Sequence, residues 1–169
     1  EFKDLYKEEN NIETKEYVKD ILIDTDFELL FPDEYINSVA ERLSLYNELG
    51  LIKKEEDLLL FEQKLIDRFG ALPKPAIALL NSLRIKWKAT SIGIEKLLMK
   101  QGKLVGYFIS DQQSKYYQSD RFMKVMQFAQ QNGNICKVKE KQTKNGLRLI
   151  ITFDNVKSIT KALEYFNKM

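Results

Sequence analysis

The sequence contains no histidine and only one cysteine, Cys136, among its 169 residues. A single cysteine cannot form a disulfide within the chain, and the usual Cys/His zinc sites are excluded without histidine. The commonest general base is also missing, so neither a Ser-His-Asp nor a Cys-His catalytic arrangement can form. Carboxylate pairs lie in polar runs that favour solvated groups over buried catalytic ones. The sequence therefore does not indicate an enzyme.

Phosphate-binding loops and long apolar runs are absent as well. The seven glycines fit neither G-x-x-x-x-G-K-[ST] nor G-x-G-x-x-G. No apolar run approaches the ~18 residues of a membrane span, and the first residues, EFKDLYKEE, are not those of a signal peptide. We expect a cytoplasmic domain with no metal, no nucleotide or other cofactor, and no membrane segment.

The charge is unevenly distributed although the net value is only +2. Residues 1–67 contain 8 Lys or Arg and 19 Asp or Glu, whereas residues 68–169 contain 19 and 6. One interpretation is that the two parts of the chain neutralise each other in the folded domain. The other is that the split reflects interactions with partners.

Three helices are predicted in the first half by apolar residues that recur every three or four positions. The first should run from the possible N-cap Asp33 to about residue 49. Its predicted buried side consists of Ile36, Val39, Leu43 and Tyr46. The second should cover residues 54–69 and end at Gly70. The Leu-Pro-Lys-Pro sequence that follows favours a tight corner, and the third helix should cover residues 76–90.

Strand-like patterns dominate after Gly93. Residues 94–100 and 104–110 predict a hairpin that turns at Gln101-Gly102. Residues 135–141 and 147–153 predict another around Asn145-Gly146, with a type I′ turn. Helices are expected from the possible N-cap Asp120 onward and near the C-terminus, and a short strand-like run, 27–31, precedes the three helices. The predicted fold class is α+β, with a three-helix segment followed by a mainly antiparallel sheet of about four strands and two packed helices.

The second helix offers a candidate contact surface at its end. Leu60, Lys64 and Asp67 fall at i, i+4 and i+7, opposite the predicted buried side, and should be exposed. Arg68 and Arg42 of the first helix complete this candidate set. The simpler interpretation is a solvated helix end whose ion pairs contribute under ~1 kcal/mol.

A stripe of basic residues is the alternative binding surface. Lys137, Lys139 and Lys141 alternate along one predicted strand and therefore share a face, and Arg148 follows on the next strand. Such a stripe could follow the phosphates of DNA or bind a repair protein. Lysines also protect edge strands from pairing with other chains, and no aromatic residue interleaves with these lysines in the sequence.

Three segments, FELLFPDEYI, ERLSLYNELG and KLIDRFGALPKPA, resemble the C-terminal domain of the bacterial transcription-repair coupling factor in order and spacing. The resemblance covers about residue 27 to the end and is loosest in the predicted sheet. It implies that residues 27–169 are a C-terminal regulatory domain and residues 1–26 the connection to an upstream translocase module. The first residue, Glu rather than Met, agrees with a piece of a longer protein.

The resemblance further implies a non-catalytic role inside a larger machine. The parent would be an ATP-dependent DNA translocase that uses ATP and Mg²⁺ in another module. It would remove stalled RNA polymerase from duplex DNA at lesions and recruit nucleotide-excision repair. The C-terminal domain would bind an N-terminal module similar to the excision nuclease B subunit. That contact would hide the surface that recruits the A subunit until the factor is engaged.

The same resemblance assigns the contact to the end of the second helix. Asp67 and Arg68 match the charged pair of the family's Asp-Arg-Phe-Gly segment. The family's acidic residue three positions before that aspartate is Lys64 here. We therefore expect either a compensating charge on the partner or a contact made mainly by Asp67 and Arg68.

Overall fold

Two hydrophobic cores, one between helices and one under a sheet, organise the part of the chain that the structure describes. The structure is a computed structural model and describes residues 17–169. Residues 1–16 of the predicted connecting segment lie outside the described residues. Of its remaining residues, Val18 and Ile21 are buried in the core under the sheet, and 22–25 form a strand of that sheet. The connection to an upstream module stays a prediction.

The three helices of the first half are present: α1 at Val39–Gly50, α2 at Glu55–Phe69 and α3 at Lys74–Ile92. The predicted N-cap of α1, Asp33, is wrong. The amides of Tyr35 and Ile36 donate instead to the Pro32 carbonyl and form a turn, both at 3.0 Å. The helix then begins after Ser38, whose hydroxyl accepts the Glu41 amide at 3.2 Å.

The predicted buried side of α1 is only partly correct. Ile36 is buried, but Val39 and Leu43 are 61% and 59% exposed. Leu45 and Leu49 take their place in the core. The helix carries two apolar stripes, and packing against α2 selects the stripe that the periodicity did not favour.

The sheet has five strands, one more than predicted, and the α+β fold class is confirmed. Its strands are β1 at Leu22–Thr25, β2 at Ile94–Lys100, β3 at Lys103–Phe108, β4 at Cys136–Thr143 and β5 at Gly146–Phe153. Their order across the sheet is β1-β2-β3-β5-β4. Only β1 pairs in parallel, with β2, and the other neighbours are antiparallel. The extra strand β1 lies in the segment predicted to be a linker.

The strand predicted over residues 27–31 is absent. This run instead crosses to the helices, where Phe31 is buried and its amide donates to the Tyr46 hydroxyl at 2.8 Å. Phe31 therefore joins the helical core, whereas Phe27 and Leu29 pack against the core under the sheet without forming a strand of it. A short apolar run cannot by itself distinguish these outcomes.

Both predicted hairpins are present, but one turn differs in type. Gln101 and Gly102 both have positive φ, 54° and 75°, between β2 and β3. Between β4 and β5 the loop residues are Lys144 and Asn145, because Thr143 pairs directly with Gly146. Asn145 does not have the positive φ that a type I′ turn requires, whereas Gly146 has φ 109°. The predicted type I′ turn is therefore wrong, and the glycine supplies left-handed backbone after the loop.

Two further helices complete the fold: α4 at Asp120–Gln131 and α5 at Ile159–Asn167. The N-cap of α4 is Ser119, which accepts the Phe122 amide at 3.3 Å, and not the predicted Asp120. The ring of Tyr165 on α5 stacks on Phe153 of β5, with centroids 5.1 Å apart. The final helix is therefore laid on the sheet, as predicted.

Helix α3 connects the two cores. Its first half contributes Ala76 and Leu80 to the core shared with α1 and α2. Its second half contributes Ile85, Ala89 and Ile92 to the core under the sheet. The orientation of the helical layer relative to the sheet is therefore fixed by one continuous helix.

The end of α3 is fixed by a close approach at Gly93. This residue has left-handed backbone, φ 101°, and a β-carbon built on it would lie 2.2 Å from the ring of Tyr116. The buried Tyr116 hydroxyl donates to the Ile92 carbonyl, next to that glycine. Only glycine satisfies both the backbone angle and the ring contact.

We predict that Gly93→Ala lowers the free energy of unfolding by about 3 kcal/mol, since left-handed strain and overpacking against Tyr116 add together. The matched control is Gly102→Ala, which has φ 75° but open space around its α-carbon. It should lose only about 1–2 kcal/mol from backbone strain. Urea unfolding followed by circular dichroism measures both, and equal losses would contradict a role for the ring contact.

Candidate protein-interaction surface on helix α2

Helix α2 turns one side to the core and the other to solvent. Leu58, Phe61 and Leu65 are buried at helical spacing. We call the exposed side chains Leu60, Lys64, Asp67 and Arg68 the α2 surface. Leu60, Lys64 and Asp67 lie along the outward side of the helix, as predicted, with Arg68 beside them, and Leu60 is 71% exposed.

The corner after α2 is held by a side chain that the sequence did not indicate. The Gly70 amide donates to the Ile66 carbonyl at 2.9 Å, and Gly70 itself has φ 89° and ψ −167°, a region that only glycine enters readily. The hydroxyl of Tyr35 donates to the Gly70 carbonyl at 2.8 Å. Burial raises the pKa of Tyr35, so this hydroxyl remains a donor over the ordinary pH range. The end of α2 is thus fixed to the turn before α1.

Two ion pairs connect the α2 surface to α1. The Lys64 ammonium lies 2.8 and 2.7 Å from the two carboxylate oxygens of Glu48. The Arg68 guanidinium pairs with Glu41 and also lies over the ring of Phe69, 4.9 Å from its centroid. These groups are 30–51% exposed, and exposed ion pairs contribute only about 0–1 kcal/mol. Both cations can therefore exchange their partners at small cost.

Asp67 has no ion pair among residues 17–169. Its carboxylate accepts one hydrogen bond, from the Gln63 side-chain amide at 2.9 Å, and is otherwise exposed. An exposed carboxylate beside an exposed leucine offers a charged contact next to an apolar one. Neither group is required to hold the helix in place.

Arg42 does not share this exposed position. Its guanidinium donates to the Ile36 carbonyl at 2.6 Å and pairs with Asp33 at 3.3 Å. Only 15% of its side chain is exposed. Arg42 therefore stabilises the turn before α1, and the α1 charges that reach the α2 surface are Glu41 and Glu48.

The other predicted set lies on the sheet. Lys137, Lys139 and Lys141 share one face of β4, and Arg148 of β5 pairs with Lys141 in the register. The Arg148 guanidinium donates to the Phe108 carbonyl at 2.7 Å and pairs with Glu95 at 3.2 Å.

The structure adds an aromatic residue to this set. Tyr107 of β3 lies among the cations, with the ammonium of Lys141 and the guanidinium of Arg148 5.4 and 5.3 Å from its ring centroid. The sequence could not show this proximity because Tyr107 is on another strand, two positions across the sheet from β4.

Metal-ligating side chains do not cluster in the described part of the chain. No three His, Cys, Asp or Glu side chains among residues 17–169 are placed to hold a metal ion. Cys136 is buried, and burial raises the pKa of its thiol, which disfavours the nucleophilic thiolate. No helix within the same residues is long and apolar enough to cross a membrane.

The sequence is similar to known proteins over most of its length. The profile of the TRCF domain family matches residues 25–119, more than half of the chain. The transcription-repair-coupling factor of Escherichia coli is 44% identical over 68 residues, which are 40% of this chain and 6% of that protein. That of Staphylococcus epidermidis is 27% identical over 141 residues, or 78% and 12% of the two chains.

A solved structure shows the same fold. The crystal structure of a C-terminal domain of transcription-repair coupling factor aligns with a TM-score of 0.63 at 18% identity and covers 87% of this chain and 88% of that one. The chain thus spans only about a tenth of the curated relatives, 6% and 12% in the two cases above, but nearly all of the solved domain. The family profile and the shared fold agree, and the chain belongs to the TRCF domain family, the C-terminal domain of transcription-repair coupling factor.

Proposed function

We propose that this domain is autoinhibitory and that the α2 surface is its contact with another module of the same parent protein. That module is the N-terminal one similar to the excision nuclease B subunit. The contact covers the surface that recruits the A subunit, and release of the domain exposes it. The observation that carries this proposal is the outward group of Leu60, Lys64, Asp67 and Arg68 at the helix end, which the Tyr35 hydroxyl fixes through Gly70.

The parent protein supplies the activity in this proposal. It is a cytoplasmic, ATP-dependent DNA translocase that removes stalled RNA polymerase at lesions and brings in nucleotide-excision repair. ATP and Mg²⁺ are bound by its motor module and not by this domain. The named relatives are transcription-repair-coupling factors, and the part they share with this chain is a small fraction of their length.

The energetics of the α2 surface suit a contact that must open. Its cations already have carboxylate partners on α1, at about 0–1 kcal/mol each, so binding exchanges one ion pair for another. Leu60 adds a small apolar contact and not a large buried area. Coupling between sites in proteins is typically about 1–3 kcal/mol, which a contact of this size can supply.

Lys64 occupies the position where the resemblance predicts an acidic residue. A carboxylate on the neighbouring helix α1, that of Glu48, lies next to it. Both carboxylate oxygens of Glu48 lie within 3 Å of the Lys64 ammonium. Glu48 is about half exposed, at 45% of its side chain. A cationic partner residue could therefore approach the Glu48 carboxylate beside Lys64. In this proposal Glu48 contributes the carboxylate that α2 lacks.

We predict that Asp67→Ala/Arg68→Ala weakens binding of this domain to the separately expressed N-terminal module by at least about tenfold, as expected for loss of about 1.4 kcal/mol. Titration calorimetry measures the affinity. In the full-length protein the same double variant should bind the excision nuclease A subunit more tightly.

The matched control is Asp154→Ala/Lys157→Ala, which removes an exposed carboxylate and an exposed cation elsewhere on the domain. It should leave both affinities unchanged. Equal affinities of the wild-type domain and the Asp67/Arg68 variant for the N-terminal module would show that α2 is not part of the contact.

We also predict that Leu60→Ser separates binding from stability. Because Leu60 is 71% exposed, its free energy of unfolding should change by no more than about 0.5 kcal/mol. Its affinity for the N-terminal module should nevertheless fall severalfold, since the apolar contact is lost. Leu51→Ser, at 79% exposure in the loop after α1, is the control that should change neither quantity. Unchanged affinity of Leu60→Ser would show that the contact contains no apolar component there.

A further inference from the structure

One face of the sheet is covered by helices, and the other carries a concentration of positive charge. The core residues of β2, β3 and β5, such as Leu97, Leu104 and Ile151, pack in the cluster that includes α3, α4 and α5. Tyr107 and Ile150 are also buried but belong to neither core cluster, since they alternate to the opposite face. We call that opposite side the open face.

Strand register gathers cations from four strands on the open face. The pairings Lys96 with Tyr107, Lys139 with Ile150 and Lys141 with Arg148 place these side chains on one side. We define the basic face by six residues: Lys96, Lys103, Lys137, Lys139, Lys141 and Arg148. Within residues 17–169 only Arg148 of these has an ion pair, with Glu95. The lysines therefore keep their charge available for a partner.

Protection of an exposed edge does not account for this arrangement. Edge protection explains Lys137, Lys139 and Lys141, because β4 is an edge strand. It does not explain Lys96 and Lys103, which lie on the inner strands β2 and β3. A band of cations that crosses the sheet from its edge to inner strands favours a binding surface.

The chemistry of the basic face favours nucleic acid over protein. Protein interfaces are depleted of lysine at their centres and enriched in aromatic anchors, and here the aromatic residue Tyr107 is only 6% exposed. Its hydroxyl also accepts a hydrogen bond from Lys141 at 2.9 Å. An aromatic ring in this position cannot stack on bases, as single-stranded nucleic acid requires of its binding proteins.

We infer that the basic face binds the phosphate backbone of duplex DNA, without sequence preference. Alternate residues on β4 place Lys137, Lys139 and Lys141 about 6.8 Å apart, at two residues of about 3.4 Å each. Lysines at such intervals can contact successive phosphates of a backbone. The inference uses none of the residues of the α2 surface and does not depend on the proposed function.

The test is fluorescence anisotropy of a labelled 20-base-pair duplex titrated with the 169-residue chain at several salt concentrations. We expect measurable binding near 50 mM salt and a steep loss of affinity as salt rises, because about 0.9 counterions are released per phosphate contact. Lys137→Glu/Lys139→Glu should weaken binding by at least about tenfold and reduce the salt slope by about 2. Both lysines are exposed on an edge strand, and their side chains form none of the hydrogen bonds or ion pairs described above.

The control is Lys115→Glu/Lys124→Glu, which makes the same change in net charge at exposed positions outside the sheet. It should retain most of the affinity, and thermal unfolding should show that both variants are folded. Absence of duplex binding at low salt, or equal losses in the two variants, would overturn the inference. Tighter binding of a single-stranded oligonucleotide, or equal competition by polyglutamate, would also overturn it in favour of another anionic partner.

Discussion

The position of the helical layer relative to the sheet depends on α3, which is packed into both cores. Ala76 and Leu80 lie in the helical core, whereas Ala89 and Ile92 lie under the sheet, and no flexible joint separates the two halves of the helix. Arg84 in the middle of α3 also forms an ion pair with Glu55 at the start of α2. At the far end, the Tyr116 ring packed on Gly93 fixes where the helix stops and the first long strand begins. The α2 surface is therefore carried on a layer whose position relative to the sheet is set by α3.

Periodicity predicted the helices well because each buries one side. It could not predict which residues cap the helix ends. Asp33 and Asp120 are as suitable for capping as Ser38 and Ser119 by residue type. Which one caps is decided by the turn that Pro32 begins and by the short helix at residues 115–118 that precedes α4. The strand β1 has only four residues in a charged segment, and its pairing with β2 is a long-range contact with no local signal.

The candidate sites show the same division between local and long-range information. Helical spacing was sufficient to place Leu60, Lys64 and Asp67 on the solvent side of α2. It could not show that Arg42 is directed to the Ile36 carbonyl, since that contact depends on the backbone of the preceding turn. In the sheet, alternation within β4 gave the lysine stripe, whereas the contributions of Lys96 and Tyr107 required the order of the strands.

The uneven charge of the chain is only partly neutralised within the folded domain. Acidic residues of the first part do pair with cations of the second, as Glu41 does with Arg68 and Asp24 with Lys100. These pairs lie on α1, α2 and one end of the sheet, so neutralisation is local. Within residues 17–169 the six residues of the basic face form one ion pair, that of Arg148 with Glu95. Since screening by salt acts within about 10 Å at 0.1 M, charge on one surface does not offset charge on a distant one. The small net charge of the chain therefore describes neither the α2 surface nor the basic face. The electrostatic potential that an anionic partner experiences at the basic face is set by the lysines and Arg148 located there.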